Sequence, residues 1–167
     1  MAAAAIVADL AVAVWVAPRM TADTLASYQP PPETRGPGPY TIDDHPYLAK
    51  GSEMYGSGVR DLFEAFRKEI LALDPCVTEE FTKLYVAYKA ETNFVDVVPQ
   101  AKRLRLTLNM PFAEIKDPKG MCRDITNISR WANGDVETAL KSIDELPYIV
   151  GLVRQSFERQ MGEGGAE

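Results

Sequence analysis

Histidine and cysteine are almost absent from this chain. Its 167 residues include one histidine, His45, and two cysteines, Cys76 and Cys122. No C-x-x-C pair exists, and one imidazole with two distant thiols does not supply the usual tetrahedral zinc set. The thiols read as reduced and buried, with a disulfide between them left open; nothing else points to a secreted scaffold. A glycine-rich phosphate loop and a serine nucleophile elbow are also missing. No complete catalytic constellation can be assembled, so the expectation is a non-enzyme with no cofactor and no metal site.

A long, uninterrupted apolar run is lacking as well. The opening segment MAAAAIVADLAVAVWVA is apolar, but Asp9 breaks it and no Lys or Arg precedes Arg19, as a secretory leader would require. A membrane-spanning helix needs about 20 apolar residues. Residues 1–28 therefore read as an alanine-rich helix followed by a short segment, ahead of a cleaved leader or membrane contact. The expected location is cytoplasmic.

Positive charge is also in deficit. Lys and Arg number 18 against 24 Asp and Glu, a net charge of −6. That argues against a generally basic nucleic-acid binder and leaves room for a local patch. The length suits one domain with appendages.

Proline and glycine are concentrated rather than scarce. Six of the 12 prolines fall within residues 29–47, and KGSEMYGSG follows at 50–58. Proline removes backbone donors and disfavours both helix and ladder, so 29–58 reads as an extended linker. His45 falls inside it, in DDHPY, and reads as a solvated loop residue. A helical stripe through Val59, Leu62, Phe63, Phe66, Ile70 and Leu73 predicts a helix, stopped by Asp74-Pro75. A second stripe, Leu146, Ile149, Val150, Val153 and Phe157, predicts another, with Asp144 as N-cap. The tail 161–167 is expected to fray.

Between the helices the period becomes two. Leu84–Lys89, Phe94–Val98 and Arg103–Thr107 alternate, separated by the loops AETN and PQAK. Two hairpins are expected, with Lys89 opposite Phe94, Tyr88 opposite Val95, Val97 opposite Leu104 and Asp96 opposite Arg105. Both put Val86, Tyr88, Val95, Val97, Leu104 and Leu106 on one buried side. A short capped helix is expected near Asn109–Ile115 and a fourth strand near Asp135–Lys141. The predicted fold is α+β: a mainly antiparallel sheet of three to four strands packed with helices, spanning 59–160.

The other sheet face would carry Lys83, Tyr85, Lys89, Phe94, Asp96, Val98, Arg103, Arg105 and Thr107. Aromatics among cations suit single-stranded nucleic acid, because bases stack while phosphates meet charge. Residues 83–130 hold nine Lys or Arg against five Asp or Glu. The candidate contacts are Lys89, Lys102, Arg103, Arg105, Arg123 and Arg130 for phosphates, with Tyr85, Phe94 and Trp131 for stacking. A solvated or helix-covered sheet fits the same pattern, and Trp131 suits a core edge equally. Glu114-Ile115-Lys116 with Asp96 upstream looks like the acid-x-Lys element of a metal-dependent nuclease. Pro111 and Asp117-Pro118 make that stretch a poor strand.

The stretches YTIDDHPYL, LFEAFRKEILALDP, YVAYKAETNFVDVVPQAKRLRL, DPKGMCRDIT, RWANGDVE and LPYIVGLVRQSFE closely resemble the C-terminal domain of unknown function of GmrSD-like restriction proteins. Those proteins combine a ParB-like, nucleotide-dependent domain with an HNH nuclease. Such modules also follow other nuclease-like domains, and carry the label of predicted transport proteins. The resemblance covers most of residues 40–160 and implies a role in defence against foreign DNA. It transfers no catalytic residue, since an HNH site needs several histidines. The expectation is a non-catalytic recognition module contacting nucleic acid. The alternative is an interaction module that docks NTPase or HNH domains or dimerises; a metal-dependent nuclease is the remote third. No membrane partner is expected.

Overall fold

The computed structural model describes residues 40–52, 54, 58–128 and 134–163. The expected N-terminal helix lies outside the described residues, as do Arg130, Trp131 and the end of the tail. Pro37–Glu167 clusters as one compact unit.

The first helix, α1 (Val59–Leu71), buries the expected stripe of Val59, Leu62, Phe63, Phe66 and Ile70. Strands β1 (Thr78–Phe81), β2 (Val86–Lys89), β3 (Asn93–Gln100), β4 (Arg103–Leu108), β5 (Arg123–Asp124) and β6 (Val136–Leu140) follow. They form one sheet in the order β1-β2-β3-β4-β6-β5, antiparallel throughout. The chain closes with α2 (Leu146–Glu163), entered through a 3-10 turn at Ile143–Glu145. Both helices share a single apolar core with one sheet face. The fold is α+β.

The expected sheet face is the buried one: Val86, Tyr88, Val95, Val97, Leu104 and Leu106 are all core residues. Three details differ. The sheet has six strands rather than three or four, because TEEF (β1) has every side chain half-buried and β5 is two residues long. Neither shows the alternation by which a strand is read.

The first hairpin pairs Val86 with Val97 and Tyr88 with Val95 as expected, but Lys89 faces Asn93 across a β-bulge that leaves Phe94 as the extra residue. The second hairpin is displaced by two residues: β3 runs on through Pro99 and Gln100, and only Ala101 and Lys102 turn the chain. Val97 meets Leu106, and Asp96 meets Thr107 rather than Arg105. An even slip keeps every side chain on its own face, so the face survived the wrong register.

Asp144 is not the N-cap of α2 but lies in the 3-10 turn, while the Glu145 carboxylate accepts the Lys141 amide at 2.8 Å. Pro147 then falls in the first turn, where helices tolerate a missing N–H. The stretch from Tyr40, read from its prolines as part of an extended linker, folds onto the core. A 3-10 turn at Ile42–Asp44 leads into His45 and Leu48, both buried.

Candidate nucleic-acid interface

Strand register sets the side chains of the second sheet face in cross-strand rows. The central row is Glu80, Ala87, Asp96, Thr107, Glu137 and Arg123. Ala87, Asp96 and Thr107 are buried there, Asp96 at 3% exposure. Asn93 donates to Asp96 at 3.1 Å, and Arg123 Nε lies 3.9 Å from Glu137. The row is predominantly acidic.

The next row is Val98, Arg105 and Ala139, with Tyr85 beside Val98 by continuation of the register. Arg105 is half-buried, and its Nε has no hydrogen-bond partner. Beyond it, Gln100 pairs with Arg103 and accepts from its Nε at 2.7 Å. Because Leu104 faces Leu140, Lys141 stands next to Arg103. Lys102 occupies the exposed turn. This end of the face is therefore basic: Lys102, Arg103, Arg105 and Lys141 occupy two adjacent rows and one turn. Lys141 carries no sequence signal of its own. Only the β4–β6 register brings it there.

The other candidates do not join this cluster. Lys89 forms an ion pair with Glu80 at the β1 side. Tyr85, next to them, has its hydroxyl pKa raised by burial and by the Asp96 and Glu80 charges, against the opposing pull of Lys89. Arg123 is exposed but stands at the β5 edge against the acidic row. Phe94 is fully buried and packs edge-on against Phe157 with ring centroids 5.3 Å apart. It is withdrawn from the face because the bulge sends it to the helix side, and cannot stack on a base. Arg130 and Trp131 lie outside the described residues.

The nuclease-like acids do not converge. Asp96 lies on the second face, whereas Glu114 accepts from Arg159 of α2 at 2.6 Å, and the Lys116 amide donates to Gln155 of the same helix. Both cysteines are free thiols, but Cys76 is exposed rather than buried. The Cys122 thiol is pushed up to about 12 by burial, by the Asp117 charge and by a hydrogen bond to Asp117, so it is a poor nucleophile at neutral pH. Among the described residues no helix is long and apolar enough to cross a membrane.

A family described as "Domain of unknown function (DUF5655)" matches residues 47–160. An uncharacterized protein of Haemophilus influenzae is 36% identical over 100 residues, which cover 60% of this chain and 33% of that protein. The chain thus spans about a third of the length of its relative. No solved structure matches. With α1, the whole sheet and most of α2 inside the matched span, the chain belongs to the DUF5655 family.

Proposed function

We propose that this domain is a non-catalytic recognition module of a restriction-type DNA-defence protein, and that the basic end of its second sheet face meets nucleic-acid phosphates in the cytoplasm. The observation that supports this reading is the gathering of Lys102, Arg103, Arg105 and Lys141 at one corner of a chain whose net charge is −6. The resemblance to the closing domain of GmrSD-like proteins supports the defence context. The much greater length of the Haemophilus protein fits a module carried by larger chains.

With Phe94 in the core, backbone contact outweighs base stacking, so duplex and single strands should bind comparably. Each phosphate neutralised on a duplex contributes a slope of about −0.9 in log affinity against log salt. Four contacts imply roughly a 100-fold loss between 50 and 200 mM salt.

Titration of labelled duplex and single-stranded oligonucleotides is the test. Lys102→Glu with Arg103→Glu should abolish binding and leave the melting temperature nearly unchanged, since both side chains are exposed. Arg105 is a poorer probe because its Nε is buried. No binding to either oligonucleotide, together with a dimer in light scattering, would favour the interaction-module alternative.

A further inference from the structure

The chain's one histidine is 3% exposed, and its Nε2 is buried without a hydrogen-bond partner. The ring lies 5.9 Å from Phe81, which in turn packs 6.3 Å from Phe63. The same residue organises the backbone around it: the His45 carbonyl accepts the amides of both Leu48 and Ala49 at 2.8 Å. Leu48 is buried in the core, and its own carbonyl accepts from Arg60 Nη1 at 2.6 Å. Residues 40–49 are thus fastened at three points: the imidazole, the Leu48 side chain and the Arg60 clamp.

We infer that residues 40–49 form a proton-sensitive strap, docked through a neutral His45 and released when that ring takes up a proton. The chemistry is direct. A neutral ring leaves Nε2 as an unpaired acceptor, whereas protonation would place there an N–H donor and a positive charge with no acceptor, against Phe81. The groups around the ring do little to accommodate that charge. From β1 and the residue after it come the Phe81 ring and the Thr82 backbone, which hydrogen-bonds the imidazole; neither titrates. On the strap, Asp44 favours the charged form. Its carboxylate also accepts from the Thr41 amide and hydroxyl. From α1 the strap meets Arg60, a further positive charge, which also pairs with Asp43 and Glu64. Burial outweighs Thr82 and Asp44, and the His45 pKa falls below its ordinary 6.5.

The direction of the effect follows from the linkage. The unfolded or undocked ring binds a proton more readily than the docked one, so docking is strongest above about pH 6.5 and weakens as pH falls toward the lower docked value. Within that window each pH unit multiplies the undocked fraction by up to tenfold. The strap is the first described stretch of the domain in sequence. This inference is independent of the nucleic-acid reading.

A single histidine makes the full chain its own probe. Its imidazole proton resonance, followed by NMR from pH 8 to 4.5, should titrate below 6.5. Over the same range the Leu48 and Ala49 amides should lose hydrogen-exchange protection relative to the Val97 and Leu106 amides of the sheet. His45→Phe, which keeps an aromatic ring and removes the proton, should retain strap protection at pH 5. The inference is overturned if wild-type His45 titrates at or above 6.5, or if strap and sheet protection change in parallel between pH 7 and pH 5. A fall in strap protection that is as large in His45→Phe as in wild type overturns it too.

Discussion

Asn93 and Phe94 together occupy the place of a single partner for Lys89, and that doubling turns the Phe94 ring toward α2. A bulge adds one residue to one strand and breaks the strict alternation of sides. Phe94 therefore joins Val95 in the core, where it is buried against Phe157. Emptying such a site removes transfer energy and leaves a cavity, so Phe94→Ala should destabilise the domain by about 3–5 kcal/mol. Urea unfolding gives the measurement. A variant of wild-type stability with weakened oligonucleotide binding would return Phe94 to the surface. The side of Phe94 was not legible in the sequence, because a bulge lies in backbone geometry and leaves no mark on apolar spacing.

Within the connection from β4 to β6, the loop of residues 115–122 that precedes β5 is held by a clasp of side chains. The Asp117 carboxylate accepts from the Cys122 amide at 2.6 Å and from the Tyr148 hydroxyl, which brings the loop onto α2. Lys119 adds its amide to the Tyr148 oxygen at 3.0 Å and its ammonium over the ring, 4.5 Å from the centroid. Burial opposes ionisation of Asp117, but the hydrogen bonds from Tyr148 and Cys122 outweigh it and hold its pKa below the ordinary 3.8. A depressed carboxylate contributes stability that is complete above its unfolded pKa and is lost as pH falls through the folded one. The clasp should thus stay closed at neutral pH and open only below about pH 4. The Cys122 amide shift, read by NMR, should move in that window, and in Tyr148→Phe it should move at higher pH. An Asp117 titrating above 4 in the wild type would contradict the assignment. The clasp was not legible in the sequence, since Tyr148 is 31 residues from Asp117. The two long helices and strands β2, β3, β4 and β6 were legible because apolar residues recur along them in the sequence at the helical or the strand period, even though burial itself alternates cleanly only in β6. TEEF was not, because no side of β1 is distinctly apolar.

At the scale of the whole molecule, one core gathers residues from Leu48 to Phe157. The sheet face and the cations at its turn could be read from alternation; the gathering of Lys141 with Arg103 could not, since it depends on pairing between strands distant in sequence. Composition misjudged Tyr40–Ala49 for a related reason: prolines describe local backbone freedom, whereas the anchoring of His45 and Leu48 depends on α1 and β1. This has a consequence for where the folded unit can be cut. A chain of residues 59–160 retains every strand and both stripes, yet it lacks Leu48, His45 and the carbonyl that Arg60 grips. Loss of a buried leucine alone costs about 2–5 kcal/mol. For a domain of this size that corresponds to roughly 10 °C in melting temperature. A chain of residues 37–163 keeps these contacts and should melt in one cooperative transition at a higher temperature than 59–160. Adding Leu48→Ala to 37–163 should recover most of the difference between the two. Calorimetry on the three chains decides it: equal melting temperatures for 59–160 and 37–163 would mean that the strap rests on the domain without stabilising it.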